Sequence, residues 1–317
     1  MKLADDSRED RLNPDSFAHG YFKNAVYRHW DPSEDIPQTL LKEDRTNLLT
    51  TDDLDEQQFD LLRSQIALFG AGEEAVTEDL APLALVLDDI DAQMFVASQI
   101  YEEAKHTQFF DRYWREVIRP VTEERGYEPT SPTDERYFSD QYIELFDRTE
   151  TAMKRLVTDD TPENRAKAFC HYHLVIESVL AQTAYYGFTA RYSESRSEIH
   201  NTTDAMPHLP GLLEGISYIR ADEGRHVGFG MHSVRTLIHE DGVDDAVVRE
   251  TLQSLLPLVT DSLQANRDSR ADSAPLVEYA RDKIAQRIEV LTDAEAEIPA
   301  VDELVDLTTT AEELAGE

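Results

Sequence analysis

A carboxylate interrupts an apolar helical stripe between Leu62 and Leu83, and this feature constrains the fold more than any other. The stripe positions are spaced alternately four and three residues apart, so they lie on one face of a helix. They are Leu62, Ile66, Phe69, Glu73, Val76, Leu80 and Leu83. Burying a carboxylate is costly unless a partner or a metal ion holds it. The sequence therefore predicts that Glu73 shares a cation with other buried side chains.

Cysteine usage limits which groups could hold such a cation. The 317 residues contain a single cysteine, Cys170, so neither an internal disulfide nor a thiolate metal cluster is expected. Any metal ligands must therefore be carboxylates and histidines. The chain has no apolar run long enough for a membrane span and no hydrophobic signal segment near Met1. We expect a cytoplasmic protein.

Acidic residues dominate the charge. The chain has 65 Asp and Glu against 30 Lys and Arg, a formal net charge of −35, and the acids are spread along its whole length. Such a charge repels nucleic acid and anionic membranes. The pattern resembles proteins of halophiles, in which high internal salt screens self-repulsion.

Low salt is therefore expected to destabilise the protein. Without screening, the excess of negative charge favours the expanded chain, so the free energy of unfolding should fall as salt is removed. Denaturant unfolding at several KCl concentrations measures this. An unfolding free energy that does not change with salt would contradict the halophilic interpretation.

Helical periodicity and breaker residues predict an all-α protein. Residues 1–50, with Pro14, Pro32 and Pro37, are interpreted as an irregular N-terminal arm, and residues 293–317 as an acidic C-terminal tail. Residues 51–292 form the predicted helical domain, a four-helix bundle core with additional helices. The predicted helices run from Thr51–Asp53 to about Pro82, Asp88 to Val117, Thr133 to Leu156, Thr161 to Tyr192, Pro210 to Glu240, 243 to 266 and 274 to 291. Residues 193–205 are predicted to be a loop.

Two of these helices carry a Glu-x-x-His motif. The motifs are Glu103-Ala104-Lys105-His106 and Glu223-Gly224-Arg225-His226. The spacing places a carboxylate and an imidazole one turn apart on one face, where both reach the same ion or ion pair. Such a short motif occurs by chance, but here each pair continues an apolar stripe. Lys105 and Arg225 are expected to point away from the metals.

Glu177 completes the candidate set. It is the only acid between Glu163 and Glu194, within an apolar and aromatic run. One Glu from each of two helices, with a Glu-x-x-His from each of two others, is the di-metal carboxylate pattern. The predicted ligands are Glu73, Glu103, His106, Glu177, Glu223 and His226. They suit iron or manganese, with zinc as an alternative. His171 and His173 are either outer hydrogen-bonding groups or ordinary core residues.

In the order of these motifs, the chain resembles the ribonucleotide reductase small-subunit superfamily, which has the ferritin-like fold. It is most similar to the small-subunit-like ligand-binding oxidases. The most specific match is Ala71-Gly72-Glu73-Glu74-Ala75-Val76 together with Tyr172, five residues before Glu177. On an α-helix, residues five apart lie about 140° apart. A position for Tyr172 near the metals therefore rests on the resemblance alone.

The resemblance implies a role for each candidate residue. Manganese is held by Glu73, Glu103 and His106, and iron by Glu177, Glu223 and His226, with Glu103 bridging; a di-iron centre is the alternative composition. Val76 and Tyr172 are joined by an ether cross-link formed during oxygen activation. Tyr185 lies near the metals, and Asp222 hydrogen-bonds His106 and connects to Trp30.

The resemblance also implies an enzyme, an O2-dependent oxidoreductase that carries out two-electron C–H oxidation. It implies a long-chain fatty-acid-like ligand and a homodimer.

The first alternative is a true reductase small subunit. Phe110 stands where that subunit usually has its radical tyrosine, and residues 292–317 lack the aromatic residues of its radical relay. Both departures favour the oxidase. The second alternative is a non-catalytic metal-binding helical protein.

Overall fold

Helices form all the regular structure in residues 11–194, 206–265 and 274–307, the ranges that the computed structural model describes. The α-helices are α1 (Phe17–Tyr27), α2 (Gln38–Thr50), α3 (Glu56–Asp79), α4 (Ala81–Val86), α5 (Ile90–Tyr113), α6 (Arg119–Arg125), α7 (Asp140–Arg155), α8 (Pro162–Phe169), α9 (Gln182–Tyr192), α10 (Pro210–His239), α11 (Asp245–Ala265), α12 (Ala274–Thr292) and α13 (Val301–Leu304). Trp114–Ile118 and Cys170–Ala181 are π-helical, and Glu135–Tyr137 is a 3₁₀ turn. The all-α prediction is confirmed for these ranges. Most of the predicted 193–205 loop and the end of the predicted tail lie outside them.

Four long helical segments surround the interior in which the site lies. Helix α3 packs on α5, α5 packs on α10, and α10 packs on the Cys170–Ala181 segment. Helix α11 covers that segment from outside and also contacts α7 and α12. None of the described helices combines the length and apolar character that a membrane crossing requires.

Helix α3 begins later than the sequence predicted. Its N-cap is Asp55 rather than the Thr51–Asp53 cluster. The Asp55 carboxylate accepts from the Gln58 backbone N–H at 2.8 Å, and the Gln58 side chain accepts from the Asp55 N–H at 3.0 Å. This reciprocal pair outcompetes the earlier acids because it satisfies two backbone donors. The helix ends before Pro82, as predicted, and Pro82 lies in the first turn of α4.

The helix that carries Glu103 does not end at Val117, so that prediction is wrong. A π-helical turn, Trp114–Ile118, follows α5, and α6 continues the same rod to Arg125. Pro120 is tolerated because it lies at the start of α6, just after the wider turn, where an N–H is dispensable. Gly126, at φ 70°, ends the rod in the left-handed conformation that glycine adopts without strain.

Twelve consecutive residues, Cys170–Ala181, form a π-helix inside the rod predicted from Thr161 to Tyr192. A π-helix bonds residue i to i+5 and has more residues per turn than an α-helix, so side chains five apart lie closer to the same side of the rod than they would in an α-helix. The α-helical expectation of a wide separation between Tyr172 and Glu177 is therefore wrong. Close approach to α10 also fits this segment, because a Cβ on Gly230 would lie 2.3 Å from the His173 Cβ.

The N-terminal arm is not irregular over its described part. Helices α1 and α2 occupy much of residues 17–50. Helix α1 packs against α5 and α10, and α2 packs against α10 and the Trp114–Ile118 turn. Pro32 and Pro37 lie between these helices, so they end elements rather than prevent them. Pro37 occupies the N-cap position of α2. The prediction of an irregular arm took these prolines as breakers, although a proline before a helix is compatible with its first turn.

Candidate metal centre

All six predicted ligand side chains meet in the interior of the four-segment core. Helix α3 supplies Glu73, α5 supplies Glu103 and His106, the π-helix supplies Glu177, and α10 supplies Glu223 and His226. Every one of them is buried, and the most exposed, Glu73, retains 6% of its surface. The six come from positions far apart in the sequence, so the bundle itself assembles the cluster.

Glu103 lies between two ligand groups. In one, ligand atoms of Glu73, Glu103, His106 and Glu223 lie within 4.8 Å of one another, and in the other those of Glu103, Glu177 and His226 do. Glu103 Oε2 is 3.2 Å from His106 Nδ1, whereas Glu103 Oε1 is 3.1 Å from His226 Nδ1. Its two oxygens thus face different histidines, which is the geometry of a bridging carboxylate.

Glu223 also faces both histidines. Its Oε1 is 3.5 Å from His106 Nδ1, and its Oε2 is 3.5 Å from His226 Nδ1. The resemblance assigned Glu223 only to the second metal. The geometry gives it access to both groups, so a second bridging position is open to it.

A carboxylate orients each histidine from behind. His106 Nε2 donates to Asp222 Oδ2 at 3.1 Å, and His226 Nε2 donates to Glu102 Oε2 at 2.8 Å. A proton held on Nε2 leaves Nδ1 free to ligate, and such partners fix the ring orientation and raise the basicity of the ligand. The role of Asp222 was predicted from the resemblance, whereas that of Glu102 was not predicted.

A repeated sequence signal could have identified Glu102. Each motif has the form acid-Glu-x-basic-His, because Glu102 precedes Glu103 and Asp222 precedes Glu223. The partners are exchanged: the acid of each motif binds the histidine of the other. Glu102 on α5 and Asp222 on α10 each belong to the same helical turn as the motif that follows, so each faces the other helix.

The Asp222 carboxylate collects several donors. Trp30 Nε1 donates to Oδ2 at 2.7 Å, Lys105 Nζ lies 3.1 Å from the same oxygen, and Arg225 donates to Oδ1. Although burial raises it, hydrogen bonding to His106 and the nearby cations hold the pKa of Asp222 well below its usual range. Lys105 and Arg225 do point away from the ligand atoms. They are buried nonetheless, and they bind the carboxylates that orient the histidines.

Two metal ions fit the donor set. Glu177 Oε2, Glu223 Oε2 and His226 Nδ1 are buried and have no hydrogen-bond partner among the described residues. Burial first, and then the neighbouring carboxylates, raise the pKa of Glu73 and Glu177 despite the opposing effect of the histidines. Two imidazolium ions would not balance four carboxylates, whereas two divalent cations would. The carboxylate-rich set with two imidazoles suits iron or manganese.

Tyr172 reaches this cluster. Its hydroxyl donates to Glu103 Oε1 at 3.2 Å, and the side chain is fully buried. The π-helix explains this position, because it turns Tyr172 to the same side as Glu177. Val76 is also buried, one helical turn after Glu73. His173 donates to Gln99, which donates to Glu177 at 2.8 Å, so His173 supports a ligand through an intermediate amide.

Solved structures with the same architecture exist, although no family model matches the chain. A Tyr-to-Phe variant of an R2-like ligand-binding oxidase with an aerobically reconstituted Mn/Fe cofactor is 25% identical, with a TM-score of 0.74 over 88% of this chain and 94% of that one. A Gly-to-Phe variant with an anaerobically reconstituted Mn/Fe cofactor is 24% identical, with a TM-score of 0.74 over 90% and 98%. The chain has the fold of the R2-like ligand-binding oxidases.

Within this R2-like ligand-binding oxidase fold, a largely apolar cavity of about 130 Å³ leads to the carboxylates. It is lined by residues from Leu61 to Val76 on α3, and Leu61 and Glu73 are about 18 Å apart along the helix axis. Glu73, Glu103, Glu177 and Glu223 form its acidic end. An elongated apolar molecule with one polar end matches this distribution.

Tyr185 also lines the cavity of this oxidase-like fold. Its ring stacks on Phe69 with centroids 5.1 Å apart, and its buried hydroxyl has no hydrogen-bond partner among the described residues. Burial, and then the nearby carboxylates, raise its pKa well above the usual value. The neutral hydroxyl is therefore a hydrogen-bond donor available to a molecule in the cavity. Phe110 also stacks on Phe69, with ring centroids 5.2 Å apart, but it has no hydroxyl to donate.

Proposed function

We propose that this protein is an O2-dependent di-metal oxidoreductase of the ligand-binding oxidase type. The observation that carries the proposal is the pair of buried ligand groups that share Glu103, at the acidic end of an apolar cavity. The structural neighbours carry Mn/Fe cofactors, and this supports the choice of metals.

Glu73, Glu103 and His106 would hold manganese, and Glu177, Glu223 and His226 would hold iron, with Glu103 shared by the two sets. A di-iron centre remains the alternative composition. When bound, the reduced metal pair supplies the electrons and the Lewis acidity that oxygen activation requires. The protein's own contribution is to position carboxylates that can change between bridging and terminal binding. Asp222 and Glu102 keep the histidine Nε2 atoms protonated, and the surrounding apolar side chains exclude water.

The internal reaction joins Val76 to Tyr172. Formation of the ether removes one hydrogen from a Val76 C–H bond and one from the Tyr172 hydroxyl and creates one C–O bond. Molecular oxygen accepts these two electrons and two more from the reduced metal pair, takes up four protons, of which Val76 and Tyr172 supply two and solvent two, and leaves as two water molecules. Tyr172 already donates its proton toward Glu103, so a carboxylate is in position to receive it. The external substrate is proposed to be an aliphatic molecule in the cavity.

Replacing Tyr172 with phenylalanine is expected to abolish the cross-link and to leave two metals bound. The ring still fills its core position, and no ligand is lost. Apo-protein is loaded aerobically with Mn(II) and Fe(II) in high salt and digested. Mass spectrometry then searches for a joined peptide pair that carries Val76 and Tyr172 and is two hydrogens lighter than their sum.

The matched control is Tyr101→Phe, because Tyr101 is 54% exposed and lies outside the cluster. It should cross-link as the unmodified protein does. If the protein without substitutions binds two metals but its Val76 and Tyr172 peptides remain separate, the result would contradict the oxidase. It would favour a reductase subunit or a passive metal protein. Loss of the metals in Tyr172→Phe would instead give Tyr172 a structural role.

A long-chain fatty-acid-like ligand is proposed for the cavity, with its carboxylate toward the metals and its chain along α3. Gly72→Leu should block it. A Cβ at Gly72 would already lie 3.2 Å from the Tyr142 hydroxyl, so the rest of a leucine must enter the cavity. Overpacking costs about 1–3 kcal/mol, so we expect about a tenfold or larger loss of bound lipid.

Gas chromatography of organic extracts measures that lipid, with metal content determined in parallel. Gly20→Leu serves as the control, since nothing lies within 4 Å of a Cβ there. Equal lipid in both variants would argue against this cavity as the ligand site. We further expect a cytoplasmic homodimer. Light scattering of the purified protein measures its molar mass and so tests whether it is a dimer.

A further inference from the structure

A buried serine hydroxyl without a partner lies on the wall of the apolar cavity. Ser262, near the C-terminal end of α11, lines this cavity and is 6% exposed. Its Oγ has no hydrogen-bond partner among the described residues. Leaving a buried hydroxyl unsatisfied costs free energy, so Ser262 calls for a partner that the described part of the protein does not supply.

The other polar side chains of the cavity lining, apart from the ligand carboxylates, have identifiable roles. Tyr142 donates its hydroxyl hydrogen to a backbone carbonyl of α3 at 2.7 Å, and Gln65 Oε1 accepts from the Tyr192 hydroxyl at 2.8 Å. The Tyr185 hydroxyl lies near the acidic end, where burial and then the ligand carboxylates raise its pKa. Ser262 has no such role within the described residues, so its hydroxyl is available to a bound molecule.

Ser262 belongs to a wall of the cavity that carries none of the six predicted metal ligands. Helix α11 packs on the Cys170–Ala181 π-helix and on α7, and its other residue in the lining, Leu263, is apolar. Because α11 contributes no metal ligand, the part of a bound molecule that meets this wall is its chain rather than its metal-binding end. Water is a poor occupant here, since a buried water molecule needs two to four polar partners and α11 offers one hydroxyl in a largely apolar cavity.

We propose that Ser262 is a specificity-determining residue that recognises a hydroxyl group on the chain of the ligand, an inference that rests on the proposed function. The ligand class is thereby narrowed from unsubstituted fatty acids to hydroxylated ones. A serine hydroxyl both donates and accepts hydrogen bonds, so it pairs with a ligand hydroxyl in either direction. Largely apolar pockets take their specificity from a few polar groups of this kind. An unsubstituted chain would leave the buried Ser262 hydroxyl unpaired and would therefore bind less tightly.

The test compares the affinity of octadecanoic acid with that of a series of monohydroxyoctadecanoic acids that differ in the position of the hydroxyl group. The full-length protein is freed of endogenous lipid, loaded with Mn(II) and Fe(II) in high salt, and titrated by calorimetry. We expect the best-placed hydroxyl to strengthen binding about tenfold, because it satisfies Ser262. In a crystal of that complex, the ligand hydroxyl oxygen should lie about 2.5–3.0 Å from Ser262 Oγ.

Ser262→Ala should remove this preference. The affinity for the hydroxylated acid should fall about tenfold, whereas the affinity for octadecanoic acid should not fall, because no serine hydroxyl is then left unpaired. A merely structural role of Ser262 would weaken the binding of both acids alike. Ser254→Ala is the matched control, since it truncates an exposed serine two turns earlier on α11, and it should keep the preference.

Two results would overturn this inference and leave the proposed function intact. One is a protein without substitutions that binds octadecanoic acid at least as tightly as every hydroxylated acid. The other is an equal loss of affinity for both acids in Ser262→Ala, since the hydroxyl would then act on the shared carboxylate or on packing. If neither acid binds, the proposed lipid ligand fails together with this inference, while metal content and cross-link formation still test the oxidase separately.

Discussion

Glu103→Gln is expected to release both metals from the protein. Glu103 is the one side chain common to both ligand groups, and its two oxygens face His106 and His226 separately. Glutamine keeps the shape but replaces one oxygen with an amide nitrogen that does not ligate and removes the charge. Losing an outer partner of a ligand already costs 10- to 100-fold in metal affinity, so losing a bridging ligand should cost more. Metal analysis should fall from two ions per chain to fewer than about 0.2.

Substituting a ligand that belongs to only one of the two groups tests whether each group holds its own metal. Glu73→Gln should release the first metal alone and Glu177→Gln the second alone, because each belongs to one group. Glu74→Gln is the matched control, since Glu74 follows Glu73 directly but is exposed. Circular dichroism verifies that the helices persist. Retention of both metals by Glu103→Gln, or equal loss in Glu74→Gln, would contradict the assignment of Glu103 as the bridge.

The sequence predicted the helical rods well because their signals are local. The 4-3 stripe through Glu73 identified the buried face of α3, and the two Glu-x-x-His motifs identified the buried faces of α5 and α10. Each signal depends only on helix geometry and on the cost of burying charge. The roles assigned to the ligands came from the resemblance, and they remain proposals.

Other features were not predictable because they depend on contacts between distant residues. The π-helix that turns Tyr172 toward Glu103 has no local signal that distinguishes it from an α-helix, and close packing on Gly230 accompanies it. Glu102 resembles an ordinary surface acid until α10 brings His226 beside it. Helices α1 and α2 are only 11 and 13 residues long, so their stability comes from packing on neighbouring helices rather than from propensity.

Asp222→Asn should cause the largest loss of stability among single conservative changes in this chain. The carboxylate is 1% exposed and binds Trp30, Lys105, His106 and Arg225. Without its charge, Lys105 remains buried beside a neutral amide. Breaking a buried pair by removing one partner costs about 3–5 kcal/mol. Urea unfolding of the apo-protein in high salt measures the free energy of unfolding.

Two further variants identify the physical cause of the stability loss in Asp222→Asn. Asp302→Asn removes an exposed acid that lies 3.5 Å from Arg28, and it should change the unfolding free energy by less than about 1 kcal/mol. Adding Lys105→Met to Asp222→Asn should restore part of the loss, because the unpaired cation is then gone. If the double variant is no more stable than Asp222→Asn, lost packing or the Trp30 hydrogen bond is responsible instead.

Asp222→Asn should also weaken the first metal site independently of stability. Asparagine can present its amide N–H to His106 Nε2, which stabilises the tautomer with the proton on Nδ1, the atom that must ligate. The affinity of the site that contains Glu73 should therefore fall by about 10- to 100-fold, while the Glu177 site keeps its metal because Glu102 orients His226. Metal titration of the folded variant tests this. An equal loss at both sites would indicate that Asp222 acts through global stability rather than through the tautomer of His106.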